Sequence, residues 1–242
     1  MSAPELSVVI PAYNEATVIE PTLHRVVEFL EANGVTWELI VVDDGSVDGT
    51  AQVVEQVAKQ HAGVRVCAAP HQGKGGAVRR GVMEAQGRYV LFMDADYSTP
   101  IEEWRQCAPW LRDGYDIVIG SRKMPGATIT RHQPRLREWM GKGFTWLTNL
   151  LVGAQVSDIT CGFKCFRHEV AKELARWQRI NGWAFDAEWL FLARRHGYRI
   201  KEVPVTWTHD DTTNVRLARD VWQSLRELIA MRLGALKGWY PT

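Results

Sequence analysis

Apolar residues fall along the first half of the chain in two alternating rhythms. Short, nearly unbroken runs rich in Val and Ile are "LSVVIPA" (6–12), "WELIVVDD" (37–44), "VRVCAA" (64–69), "YVLFMDAD" (89–96) and "DIVIGS" (116–121). Runs of that length and continuity predict strands buried on both faces. Between them, residues 15–33, 50–61, 74–86 and 101–112 carry apolar side chains at helical spacing, with Ser and Asp ahead of "GTAQVVEQVAKQ" as candidate caps. Strand and helix in alternation predict an α/β fold, a Rossmann-like, mainly parallel sheet with helices on both faces.

The second half is less regular. Residues 134–152 predict a helix carrying both basic and aromatic side chains. "DITCGFKCFRHE" then predicts a loop and a strand, "WAFDAEWLFLARRHG" a helix, and "RIKEVPVTWTH" a strand. From Arg216 to Lys237 the pattern predicts a C-terminal amphipathic helix with five Arg and Lys against Asp220 and Glu227. No Pro/Gly/Ser-rich linker divides the chain, so residues 1–242 are expected to form a single domain.

Composition narrows the function classes. A formal net charge of +1 argues against bulk affinity for nucleic acid. Cys67, Cys107, Cys161 and Cys165 show no CxxC pair and no His at zinc-finger spacing, so they read as small buried hydrophobes in a reducing compartment. The chain opens without a signal-peptide pattern, and no apolar run approaches the roughly 20 residues that span a bilayer. The expectation is a cytoplasmic protein, soluble or peripheral on the cytoplasmic membrane face.

In parallel sheets ligands bind beyond the carboxyl ends of the strands. That rule gathers Tyr13, Asn14 and Glu15, then Asp43 and Asp44, then Asp94 and Asp96, then Ser121 and Arg122 onto one expected rim. Asp94 and Asp96 end a buried strand with two hard oxygen ligands, which suits Mg²⁺ or Mn²⁺ holding a diphosphate. A solvated turn before "STP" is the plainer alternative. In "VVDDGSVDGT" a carboxylate can accept from a base N–H or ribose hydroxyls, while Asp48 and Thr50 cap the next helix; the two readings are compatible. "HQGKGGAVRRG" offers phosphate a glycine-rich helix start, with Lys74 adding charge. GxxxxGK[ST] is absent, and no GxGxxG follows the first strand, which disfavours a P-loop or a dinucleotide-binding dehydrogenase.

Taken in order, "SVVIPAYNE", "VVDDGSVDGT", "GKGGAVRRG", "DADYST" and "VIGSR" resemble the nucleotide-sugar half of inverting family 2 glycosyltransferases with the GT-A fold. "DITCGFKCF", "WAFDAEWLF", "EVPVTW" and the basic helix after them resemble the dolichyl-phosphate β-glucosyltransferase branch, with dolichyl-phosphate mannosyltransferases as near relatives. The resemblance runs from residue 6 to about residue 236. It implies a nucleotide-sugar-binding half over about 5–122 and an acceptor-binding half over about 123–242. It further implies a nucleotide pocket from Pro11, Tyr13, Glu15, Asp44, Lys74 and Asp94, with the metal on Asp94 and Asp96. The donor would be UDP-glucose or GDP-mannose, glucose being favoured by the branch, and the acceptor a polyprenyl phosphate. Two departures stand out. The mannosyltransferases place a metal-assisting glutamine where this chain has Ser98. The glucosyltransferase branch commonly shows Gly-Ser-Lys where this chain has Thr212-Thr213-Asn214, with Arg216 as a candidate replacement.

The acceptor chemistry can be reasoned separately. A phosphate monoester has its second pKa near ~6, so at neutral pH it is already a nucleophilic dianion and needs cations, not a base. Arg122, Arg131, Arg135 and Arg137 supply them, or else form a solvated basic face. The resemblance matches Arg122 and Arg137 to phosphate-binding arginines, so Asp96, Arg122 and Arg137 are the expected catalytic residues. One in-line displacement would then invert the sugar. A hydroxyl acceptor would instead need a base, for which Asp158 and Asp186 are candidates, although the QxxRW motif of polymerising relatives is missing. A non-catalytic sugar-nucleotide-binding protein is the reading from another class, and the intact DxD argues against it. Trp139, Phe144, Trp146, Leu147 and Leu150, with Lys142, belong either to a membrane interface or to an ordinary core.

Overall fold

Every apolar run of the first half becomes a strand, and all but one have their two faces covered by different helices; the run at 64–69 is an edge strand of the sheet, with only Val64 buried rather than both faces. The computed structural model describes residues 3–131, 135–153, 155–209 and 217–241, with all their side chains except those of 135–142, 144 and 217–219. The strands are β1 (Leu6–Ala12), β2 (Trp37–Asp43), β3 (Val64–Ala68), β4 (Tyr89–Met93) and β5 (Ile117–Ser121). Alternating with them are α1 (Ile19–Ala32), α2 (Thr50–Gln60), α3 (Lys74–Glu84) and α4 (Trp104–Arg112), the last preceded by a short 3-10 turn. The second half adds β6 (Thr128–Arg131), α5 (Arg135–Val152), β7 (Phe163–Arg167), α6 (His168–Trp177), α7 (Phe185–Arg195), β8 (Ile200–Pro204), β9 (Thr206–Thr208) and α8 (Leu217–Leu236).

Side chains two apart on a strand share a face. Val9, Ile40, Val42, Val90 and Phe92 therefore join one core with α3, α6, α7 and α8, while Leu6, Val8, Ile10, Leu39, Val41, Leu91 and Met93 join a second core with α1, α2 and α4. The result is a helix–sheet–helix sandwich. Strand order is β3-β2-β1-β4-β7-β5-β8, and within it only β7 runs antiparallel to its neighbours, Tyr89 facing Arg167 and Met93 facing Phe163. A separate two-stranded parallel sheet joins β6 and β9.

The mainly parallel, two-sided sheet matches the expectation, with four differences. The first helix begins at Ile19 rather than residue 15, because residues 13–16 are tied into the rim described below. The run "RIKEVPVTWTH" splits at Pro204 and Val205, so β8 joins the large sheet and β9 the small one. Helix α6 and strand β6 were not foreseen. Helix α6 starts directly where β7 ends, leaving no turn residues as a signal. Strand β6 is four residues long and mostly exposed, so it lacks an apolar run.

Candidate active site

The rim is built by loops that hold one another. After β1, Asn14 takes a left-handed backbone with φ of 55°. The backbone N–H groups of Asn14, Glu15 and Ala16 donate to Ser46 Oγ (2.9 Å), Thr50 Oγ1 (2.9 Å) and Asp48 Oδ2 (3.0 Å). Val47 N–H returns the link to Asn14 Oδ1 at 3.0 Å. Thus "YNEA" and "SVDGT" form one cross-braced edge; Asp48 Oδ1 accepts the Thr50 N–H at 3.0 Å, but the N-cap of the helix is Gly49, with no side-chain cap bond. Tyr13 stacks on His71 with ring centroids 4.3 Å apart. Pro11 is buried within β1, beyond the point where pairing with β4 ends at Val9, so its missing N–H breaks no bond to that strand.

Asp44 is buried, and its two oxygens accept from the backbone N–H groups of Gln72 and Gly73, each at 2.8 Å. His71 Nδ1 lies 2.8 Å from the same carboxylate. The second carboxylate of "VVDD" therefore shapes the glycine-rich loop that leads to Lys74. Gly73, at φ of 104°, is packed so closely that a Cβ would stand 2.7 Å from Asn181 O, and Gly76 N–H donates to that oxygen at 3.1 Å. The loop between α6 and α7 thereby closes over the start of α3.

Lys74 does not point into open solvent. Its Nζ contacts Asp94 Oδ1 at 2.5 Å and lies 5.3 Å from the centre of the Trp183 ring. Burial alone would depress this ammonium, but Asp94, Asp186 and Asp96 together hold its pKa above the ordinary value. Asp186 is buried against Lys164, Nζ to Oδ1 2.7 Å, and Lys164 also donates to Cys161 O at 2.6 Å. Burial keeps the Asp186 carboxyl raised despite these cations. Positive and negative groups thus alternate from Lys164 through Asp186 and Lys74 to Asp94.

Asp94 and Asp96 sit together at the end of β4. The Asp96 carboxylate accepts from Ser98 N–H at 2.9 Å, so Ser98 orients Asp96 with its backbone. Burial, and then the charge of Asp94, raise the Asp96 pKa. Two hard oxygen donors at the sheet rim, with the single charge of Lys74 against them, fit a divalent cation. Among the described residues no group of three or more His, Cys, Asp or Glu is placed to share one ion, so these two carboxylates would hold it with oxygens from the ligand and water. Asp94 is fixed from behind: its N–H donates to Gly162 O at 3.1 Å, and a Cβ on Gly162 would lie 1.9 Å from Asp94 Oδ2.

On the other side of β7, Arg122 is clamped by Asp158. Nε donates to Oδ2 at 2.7 Å, Nη2 to Oδ1 at 2.8 Å and to Thr160 Oγ1 at 3.0 Å. Its guanidinium lies 5.3 Å from the Trp207 ring centre on β9. Burial opposes the Asp158 charge, yet the Arg122 guanidinium holds this carboxyl down at about 2. Asp158 is therefore a poor proton acceptor, and Asp186 is engaged by Lys164; neither is placed as a general base. The clamp leaves both Nη1 hydrogens of Arg122 without a partner among the described residues. Arg131 lies exposed on β6, in the small sheet that also carries Trp207. Arg135 and Arg137 belong to α5 with side chains outside the described set, and Thr212, Thr213, Asn214 and Arg216 lie outside the described residues. The cysteines carry no disulfide, and burial pushes the Cys161 thiol up to about 11, consistent with an inert packing role.

Sequence reasoning missed Gly162, Lys164, Trp183 and Trp207. Lys164 carried a usable signal, since a lysine inside the apolar run "CGFKCF" must find a buried anion. The others are defined only by what packs across the rim.

Known proteins resemble this chain in sequence and in fold. The description "Glycosyl transferase family 2" matches residues 7–175. The chain is 35% identical over 222 residues to Dolichyl-phosphate beta-glucosyltransferase ALG5C of Trichomonas vaginalis, covering 87% of this chain and 66% of that protein. It is 37% identical over 223 residues to Dolichyl-phosphate beta-glucosyltransferase of Drosophila melanogaster, covering 86% and 68%. The chain thus spans about two thirds of the length of these relatives. The crystal structure of glucosyl-3-phosphoglycerate synthase from Mycobacterium tuberculosis with Mn²⁺, UDP and glucosyl-3-phosphoglycerate superposes with a TM-score of 0.69 at 23% identity, covering 96% of this chain and 80% of that one.

Proposed function

Since the chain belongs to glycosyl transferase family 2 and has the GT-A fold, we propose that it transfers glucose from UDP-glucose to a polyprenyl or dolichyl phosphate with inversion at the sugar. The two glucosyltransferase relatives support glucose and the lipid phosphate. The observation that carries the reading is the Asp158–Arg122 clamp. It fixes the orientation of the Arg122 guanidinium and, with the Asp158 carboxyl held down at about 2, leaves Asp158 a weak base. A phosphate dianion needs such a donor and no base, whereas a hydroxyl acceptor needs the reverse.

In this reading the Tyr13–His71 stack and the loop held by Asp44 receive the nucleotide, and Lys74 faces its phosphates. A divalent cation on Asp94 and Asp96 would neutralise the diphosphate leaving group. Arg122 binds the acceptor phosphate through Nη1 and keeps it deprotonated and in line, with Arg131, Arg135 and Arg137 as further cations on the acceptor side.

The acceptor's lipid tail accounts for the exposed face of α8. Trp222, Ile229, Leu233 and Leu236 recur at i, i+7, i+11 and i+14 on one side, all exposed, with exposed Arg226, Arg232 and Lys237 beside them. Trp146 and Leu150 are exposed on α5, which packs against α8. Glu227 turns inward, toward Gly182. Apolar residues flanked by cations suit an anionic lipid surface, and no described helix is long and apolar enough to cross a membrane.

Radiolabelled UDP-glucose and GDP-mannose, each with and without polyprenyl phosphate, test the assignment. Label from UDP-glucose should enter the lipid fraction only when the lipid phosphate is present, and Asp96→Ala should abolish it. Label in the lipid fraction from neither donor overturns the reading.

A further inference from the structure

The carboxylate that would take a divalent cation is already in contact with another cation. Lys74 Nζ is 2.5 Å from Asp94 Oδ1, and the pair is mostly withdrawn from water, with side-chain exposures of 16% and 30%. An ammonium at that distance and a divalent cation on the same carboxylate repel each other strongly where water screens poorly. Asp94 has little freedom to turn away, because Gly162 lies against Oδ2 and takes the Asp94 N–H.

Lys74 has the freedom that Asp94 lacks. Its four-carbon stem is flexible, and two other favourable neighbours surround it. One is the face of Trp183, and the other is Asp186, whose charge already acts on it while Lys164 holds the carboxylate in place. The charge count points the same way. Asp94, Asp96 and Asp186 face Lys74 and Lys164, a net of one negative charge. A divalent cation alone turns this positive beside an ammonium, whereas a nucleoside diphosphate arriving with it gives both cations anionic oxygens.

We infer that Lys74 is an exchangeable counter-ion of Asp94, held there until a divalent cation and a nucleoside diphosphate bind together, so that each strengthens the other. The inference rests on Asp94 and Asp96 being the cation's carboxylates. Metal bound without nucleotide must displace Lys74 with nothing to receive it. Metal bound with nucleotide displaces it onto the phosphates. By linkage the nucleotide then raises metal affinity by the same factor as metal raises nucleotide affinity.

Mn²⁺ binding to the full chain, followed by the electron paramagnetic resonance of free Mn²⁺ with and without UDP, tests this directly. Lys74→Met should bind Mn²⁺ about tenfold more tightly than wild type without nucleotide, a coupling of ordinary size, and UDP should then add little. Lys74→Arg, which keeps the charge, should return nucleotide-free Mn²⁺ affinity toward the wild-type value. Thermal melts check that both variants are folded. Equal or weaker Mn²⁺ binding by Lys74→Met overturns the inference, as does equal tightening by both variants. Failure of wild type to bind UDP counts against UDP-glucose as donor, while the nucleotide-free comparison still decides the role of Lys74.

Discussion

Two residues of the loop that leads into β7 hold the chemistry in place without taking part in it. Gly162 lies against Asp94, and any side chain there meets the carboxylate. Gly162→Ala is expected to cut kcat by about 10²-fold through displacement of that ligand, while far-UV circular dichroism stays native; steady-state kinetics would read it. Asp158 is the second. Removing its charge leaves Arg122 largely buried and unpaired, so Asp158→Asn should cost about 3–5 kcal/mol, measured by denaturant unfolding. Asp158 also sets an acid limb. Its carboxyl is depressed from the ordinary 3.8 to about 2, so its stabilisation is complete above pH ~4 and disappears as pH falls toward 2. That difference is worth roughly 2 kcal/mol, and Asp158→Asn should flatten the pH dependence of stability across that window. The sequence made Asp94, Asp96, Lys74 and Arg122 legible, because charged residues closing apolar strands need partners. It did not make Gly162 or the Asp158 clamp legible, because each meets a partner from a distant part of the chain, Asp158 reaching Arg122 across 36 residues and Gly162 reaching Asp94 across more.

At the scale of elements, four of the five strands of the first half were readable because each is largely apolar on both faces, the edge strand β3 by its Val residues alone, and the covering helices because each carries one apolar stripe. Where a segment serves two neighbours the pattern blurs. The stretch from Ile200 to Thr208 divides between two sheets, and its hydrophobic alternation does not announce the division. Helix α8 is the opposite case, since its amphipathic pattern was plain but its partner was not. Its inner face carries Leu228 and Met231 into the core, and its outer face leaves Trp222, Ile229, Leu233 and Leu236 exposed. Replacing Ile229 and Leu233 by Asp should weaken co-sedimentation with anionic vesicles at least tenfold while leaving the thermal midpoint within a few degrees, because neither side chain contributes to the core. Unchanged sedimentation would assign the stripe to a protein partner.

At the scale of the molecule, the two halves named from sequence are not separate bodies. Strands β7 and β8 come from the second half, yet β7 lies between β4 and β5 in the middle of the large sheet. A fragment ending at residue 122 would expose an edge of β4 and both edges of β5, and is expected to aggregate or remain unfolded by circular dichroism. Chelation by EDTA acts on the whole site in another way. It should abolish transfer, with activity restored by Mn²⁺ or Mg²⁺, and leave the fold intact, since the two apolar cores that hold the sheet include neither Asp94 nor Asp96.

The antiparallel strand also sets a timetable for biosynthesis. Strand β4 is complete at Met93, but its partner β7 starts only at Phe163. At ribosomal speeds of about 5–20 residues per second, β4 waits roughly 4–14 s for the segment that covers its open edge. During that interval "YVLFM" is an apolar strand with one unsatisfied side, the form most prone to pair with a neighbouring chain. Slow codons between residues 94 and 163 should therefore lower soluble yield, and faster ones should raise it.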